Sequence, residues 1–183
     1  GLYFVPVSEF ECMLGGIGTC TDVDVVIPST DDKGNKVVKI ASNAFRDNDK
    51  IRSVIIPDGV ITIEESAFAG CFSLECVQIP NSVISIGESA FFENKSLKNI
   101  NIPANITCVE ANVFDGCEVL KSINIPDGVV SIEEYAFSGC CALTDIAIPQ
   151  GVINIGEGAF RNCKKLEGFF IRLGCRCYND QRM

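Results

Sequence analysis

The chain has 183 residues, 47% of them hydrophobic, with a formal net charge of −9, 11 Cys, no Trp and no His. So acidic a surface argues against nucleic acid and anionic bilayers as direct partners, because both carry the same sign of charge. Without His, Ser-His-Asp and Cys-His catalysis and every imidazole metal site are removed.

Residues 2–20, "LYFVPVSEFECMLGGIGTC", are apolar and β-prone but carry no repeat, so residues 1–22 read as an N-terminal β-rich cap. From residue 23 to 171 the chain repeats itself. Phe45, Phe68, Phe91, Phe114, Phe137 and Phe160 recur at steps of 23, as do Pro57, Pro80, Pro103, Pro126 and Pro149. Leu74, Leu97, Leu120, Leu143 and Leu166 keep that step, with Ile51 as first member, and so do Ile56, Ile79, Ile102, Ile125, Ile148 and Ile171. Four series locked to one period signal a solenoid. In the first coil 29 residues separate Pro28 from Pro57, and the excess fits "DDKGNK", a polar glycine-containing turn. No apolar run approaches the ~18 residues of a membrane span, so direct membrane insertion is not expected.

The repeating unit can be read from Leu74, "LECVQIPNSVISIGESAFFENKS". Val77 and Ile79 alternate with polar residues, which suits a short strand with one buried face. Pro80 cannot donate to a ladder and should end that strand. Asn81-Ser82 supplies turn chemistry, "VISI" is a second β-prone run, and "GESAF" reads as one helical or 3-10 turn with Ala90 and Phe91 inward. One coil cannot bury its own apolar face, so neighbouring coils must do it together.

Leu74, Val77, Ile79, Pro80, Val83, Ile86, Gly87, Ala90 and Phe91, with their equivalents one period away, resemble the BspA-like (Treponema-type) leucine-rich repeat. The position of Gly87 holds Glu64, Glu110 and Glu133 in other coils, so it need not demand positive φ. The expected fold is a β-dominated right-handed solenoid of about six 23-residue coils, with short parallel strands and short helical or 3-10 turns. Arg172 stands where the next Pro would fall, so residues 172–183 read as a C-terminal tail or a truncated cap. The residues carry no phosphate-cradling glycine loop, G-x-S-x-G or metal spacing, so a non-catalytic module without cofactors is expected; the resemblance implies a cell-surface or secreted protein. It also implies attachment to a host extracellular or microbial surface protein. The alternative is a structural spacer in a larger surface protein; a monomer is the expected state.

Cys71, Cys117, Cys140 and Cys163 all lie three residues after a periodic Phe, in a column shared with Asn48 and Asn94. The reading is a buried ladder of small groups facing backbone. Coils ~4.8 Å apart leave a Cys117–Cys140 or Cys140–Cys163 disulfide open, although parallel Cβ directions disfavour it. Cys76, Cys108 and Cys141 sit in columns of Ser, Thr, Asn, Glu or Lys and read as partly exposed thiols. Cys175 and Cys177 are too close for a comfortable internal bond, and no metal site is expected.

Three outward columns of the first strand vary where the core does not. They contain Arg52, Glu75, Lys98, Lys121, Thr144 and Glu167; Ser53, Cys76, Asn99, Ser122, Asp145 and Gly168; and Ile55, Gln78, Asn101, Asn124, Ala147 and Phe170. The bland reading is a solvated sheet face with an Asn101–Asn124 ladder. The sharper one is a recognition face on which Lys98 and Lys121 accept a carboxylate-bearing partner. Glu65, Glu88, Glu134 and Glu157 form an acidic column, expected to sit in the first turn of each helical segment, with calcium as the minority reading. Ile61, Ile84, Val130 and Ile153, with Thr107 between, flank Val60, Val83, Ile106, Val129 and Val152. A bend that buries both columns is expected, an exposed apolar patch being the alternative.

Overall fold

The computed structural model of the protein describes residues 1–166 together with the backbone of residues 176–177. In chain order the strands are β1 (Tyr3–Pro6), β2 (Glu11–Gly16), β3 (Asp24–Val26) and β4 (Lys36–Ile40). They continue as β5 (Ser53–Ile55), β6 (Thr62–Ile63), β7 (Cys76–Gln78), β8 (Ser85–Ile86) and β9 (Asn99–Ile100). The last four are β10 (Cys108–Val109), β11 (Ser131–Ile132), β12 (Asn154–Ile155) and β13 (Arg176–Cys177). They form three sheets, ordered β3-β5-β7-β9, β1-β2-β4-β6-β8 and β10-β11-β12-β13. Pairing between coils is parallel and in phase, with Val54 opposite Val77, Ile63 opposite Ile86 and Ile132 opposite Ile155. The chain is thus a β-solenoid of about six turns of roughly 23 residues.

The core is one continuous row. Phe45 through Phe160 stack face to face, their ring centroids 4.8–5.8 Å apart and their planes within 17° of parallel. Phe45, Phe68, Phe91, Phe114 and Phe137 are fully buried, as are Ile51, Leu74, Leu97, Leu120 and Leu143 around them. Each buried Phe contributes about 1.5–3 kcal/mol by leaving water. Ring contacts with the coils on either side add roughly 0.5–1.5 kcal/mol per pair.

The segment carrying each Phe is not helical. No helix occurs among the described residues; the "AF" segments are chains of tight turns. Two positions in every coil adopt left-handed backbone. One column is Asn43, Ser66, Ser89, Asn112, Tyr135 and Gly158; the other is Asp47, Gly70, Glu93, Gly116, Gly139 and Asn162. Alternating handedness points successive amides in different directions. Phe45, Phe68, Phe91, Phe114 and Phe137 donate N–H to the next coil, to the carbonyls of Ala67, Ala90, Val113, Ala136 and Ala159 at 2.7–3.0 Å. The intervening residues donate within their own coil, as Arg46 does to Asn43 and Ala69 to Ser66. A helix would have spent its N–H groups internally; the turn chain spends half of them on its neighbour and so staples the stack.

At the N-terminal end β2 pairs parallel with β4 and antiparallel with β1. The inserted "DDKGNK" closes a small hairpin. Asp31 Oδ1 accepts from the N–H groups of Lys33 and Asn35, Gly34 takes φ 85°, and Thr30 bridges Lys36. Gly87 lies outside the positive-φ set, as its column implied; it is small because a Cβ there would meet the Glu65 backbone nitrogen at 2.7 Å. The expectations for Glu167, Gly168, Phe170 and Ile171 fall outside the described residues, as do those for the tail and for the Cys175 and Cys177 side chains.

The strand pairing on both faces of the solenoid is interrupted around the fourth coil. Neither β8 and β10 nor β9 and the Ser122 segment pair with one another, and beyond β9 the first sheet persists as a single bridge, Ser122 to Asp145. The turn ladder runs unbroken past both gaps, through Ser89 to Ala111 and Asn112 to Glu134.

Candidate functional site

The outward columns of the first strand lie where their residue types require. Arg52, Ile55, Glu75, Gln78, Lys98, Asn99, Asn101, Lys121, Asn124 and Asp145 are all exposed, while Val54, Val77 and Ile123 between them are buried. Pleating alone produces this: successive Cβ atoms point to opposite faces.

Their polar groups divide into two kinds. Lys98 Nζ lies 2.8 Å from Glu75 Oε2, one coil back, and that ammonium holds the Glu75 carboxyl below its ordinary range. Lys98 is therefore already partnered, whereas Lys121 has no carboxylate partner among the described residues. The two lysines do not act as an equivalent pair.

Asn101 and Asn124 do not form a ladder. The Asn101 amide turns back to the third coil and takes both main-chain groups of Ile79: Oδ1 accepts its N–H at 3.1 Å and Nδ2 donates to its carbonyl at 2.7 Å. In the preceding coils those bonds run backbone to backbone, as from Ile56 N–H to the Gln78 carbonyl. Here the side chain takes the place of the backbone bond, and in the next interval, between β9 and the Ser122 segment, no strand pairing follows. An open groove of about 540 Å³ lies over this stretch, lined by the apolar Val77, Ile100 and Ile123 and by the polar Gln78, Asn99, Asn101, Ser122, Asn124 and Asp145. It coincides with the gap between β9 and the Ser122 segment. A column position predicted the surface; nothing periodic predicted the gap.

The Cys/Asn column is a ladder facing main chain. Cys71, Cys117, Cys140 and Cys163 donate S–H to the carbonyls of Phe45, Phe91, Phe114 and Phe137, each in the preceding coil, at 3.1–3.4 Å. All four are free thiols. Burial pushes the Cys71 thiol up to about 12 and Cys163 to about 11, and raises Cys117 and Cys140 as well. Such groups stay protonated and inert. Asn48, half-buried, accepts from the N–H groups of Lys50 and Ile51. Asn94 is wholly buried, and its amide meets no hydrogen-bond partner among the described residues. Cys76, Cys108 and Cys141 are partly exposed.

The acidic column serves through its backbone. With no helix among the described residues, no helix N-terminus favours these carboxylates. The carbonyls of Glu65, Glu88, Glu134 and Glu157 accept the first rung of each turn ladder, from Asn43, Ser66, Asn112 and Tyr135, and their side chains point to solvent. Among the described residues no three Cys, Asp or Glu are grouped to hold a metal ion.

The bend expected at the second strand does not occur. Val60, Val83, Val129 and Val152 are buried, but Ile61, Ile84, Val130 and Ile153 are 40–65% exposed. The N–H of Ile84 donates to Ile61 and that of Ile153 to Val130, so the backbone is extended here and strict alternation turns one column outward.

Stacked parallel coils with a varied outward face define a solenoid repeat protein, a class that works through an extended surface. The model of the BspA type leucine rich repeat region matches residues 32–109 and 90–181, in six copies, and the chain belongs to this family. Family members of this kind are in general protein-interaction or surface modules. The T. pallidum leucine-rich repeat protein is 24% identical, with a TM-score of 0.68 over 90% of this chain and 87% of that one. A leucine-rich repeat protein from Eubacterium ventriosum is 24% identical, with a TM-score of 0.70 over 88% of this chain and 48% of that one. A leucine rich cell surface protein from Faecalibacterium prausnitzii is 26% identical, with a TM-score of 0.51 over 85% of this chain and 61% of that one. The chain thus spans about half to three fifths of the length of the latter two. No curated protein matches the sequence.

Proposed function

We propose that this chain is a non-catalytic recognition module of a cell-surface or secreted protein, and that it attaches to host or microbial proteins through the first-strand face, with the β1–β2 hairpin as its N-terminal cap. The observation that carries this reading is the groove over β7, β9 and the Ser122 segment. It is an open, partly polar concavity on the face where side chains are free to vary, in an array whose buried columns are monotonous. The description of the F. prausnitzii relative as a cell surface protein supports the location. Arg52, Glu75, Lys98, Lys121 and Asp145 give the face both signs of charge, and Lys121 is the cation beside the groove that Glu75 does not engage.

Immobilised extracellular-matrix and microbial surface proteins should retain the chain. Lys121→Glu combined with Asn99→Ala should weaken retention at least tenfold, while exchanges in the Ile61 column leave it unchanged. Retention that survives the face variant, or no retention by any such protein, would leave the spacer role.

A further inference from the structure

We infer that the groove binds an extended, weakly charged peptide segment by its main chain, read by the amide side chains of Gln78, Asn99 and Asn124. This rests on the recognition role proposed for the face and names the chemistry of what lies there.

The chain carries its own precedent. Asn101 sits in the same column as Gln78 and Asn124, and its amide already grips the main chain of one residue, taking the N–H and the carbonyl of Ile79, which belong to successive peptide units. An amide side chain offers a donor and an acceptor side by side, matching the N–H and C=O that one residue of an extended chain turns to the same edge. Gln78, Asn99 and Asn124 are exposed and engage no side-chain partner among the described residues, so their amides project unspent beside the groove. The part of the lining formed by Val77, Ile100 and Ile123 is apolar and suits alternate small aliphatic side chains.

Among the described residues the lining contains no aromatic ring on which a sugar or base would stack. Lys98, neutralised by Glu75, and Asp145 leave little net charge to select a strongly ionic segment.

The test is titration of the intact chain, labelled with nitrogen-15, with a capped six-residue peptide of alternating Ser and Val, up to about 5 mM. Saturable shifts of the side-chain NH2 signals of Gln78, Asn99 and Asn124 are expected. The same peptide with N-methylated amides should produce none, and Asn124→Asp, which keeps the shape and loses the donor, should weaken binding about tenfold. Equal shifts with the N-methylated peptide, shifts confined to other faces, or none at all would overturn the inference. Where a protein partner's retention depends on Lys121 but ignores Asn124→Asp, main-chain reading fails and the recognition face stands. Where it ignores both, both fail.

Discussion

Replacing Asn94 by Cys should stabilise the protein. Asn94 occupies the ladder between Cys71 and Cys117, fully buried, and neither its Oδ1 nor its Nδ2 finds a partner among the described residues. An unsatisfied buried polar group costs about 1–3 kcal/mol. A thiol at this position should reach the Phe68 carbonyl as Cys71 reaches Phe45 at 3.1 Å and Cys117 reaches Phe91 at 3.4 Å. Thiol donors are weak, so most of the gain comes from removing the amide. Against that stands a small loss of volume, so the net gain is set at about 1–2 kcal/mol. At about 2–4 °C per kcal/mol for a domain of this size, Tm should rise by roughly 2–8 °C. Thermal unfolding followed by circular dichroism under reductant reads it directly. The reciprocal exchange, Cys117→Asn, should lower Tm by a similar amount. If Asn94→Cys lowers Tm while Cys117→Asn leaves it unchanged, the ladder is not held by thiol–carbonyl contacts and the reasoning fails.

Three further outcomes follow from the same geometry. Lys98 holds the Glu75 carboxyl below its ordinary range, and a depressed acid contributes stability that is present above that range and lost as pH falls through the lowered value. The Glu75 carbon-13 titration midpoint should therefore lie below its usual 4.5 and move back up in Lys98→Ala; an unchanged midpoint would deny the ion pair. Iodoacetamide at pH 8 should leave Cys71, Cys117, Cys140 and Cys163 unmodified in the native protein and label them only after unfolding, as peptide mass spectrometry can show. Gly139→Ala should lower stability by about 1–2 kcal/mol, because φ is 67° and the added Cβ would lie 3.3 Å from the Gly116 nitrogen; an unchanged denaturant midpoint would remove the left-handed columns from the account.

The stacking was legible because every coil repeats the same buried side chains at the same phase, and the row from Phe45 to Phe160 needs only that. The turn chemistry was only partly legible. Gly70, Gly116 and Gly139, with Asp47 and Asn162, share one column, a pattern that speaks for left-handed backbone. Glu93 breaks it, and the second column runs through Ser66, Ser89 and Tyr135, so propensity pointed toward helix instead. Tertiary hydrogen bonds between coils, which no single coil displays, override that preference. The outward turn of the Ile61 column was not legible, because two adjacent apolar residues do not say which faces in; the extended backbone at Ile84 and Ile153 decides it. The groove could not be read at all. Asn101 and Asn124 are identical letters in one column, yet one amide replaces a ladder bond to Ile79 and the other does not. Periodicity reports which residues are equivalent, and this site arises where equivalence fails.

The central claim is that the 23-residue period is a mechanical unit. Deleting residues 120–142 joins Val119 to Leu143 and removes one whole coil, restoring every column on the far side. That variant should fold cooperatively with an unchanged circular dichroism signature and a lower Tm, as expected for an array that has lost one nearest-neighbour interface. Deleting residues 120–141, one residue fewer, throws every later Phe and Leu out of phase and should abolish the cooperative transition. Equal behaviour of the two deletions would contradict the stacked array and everything placed on its face.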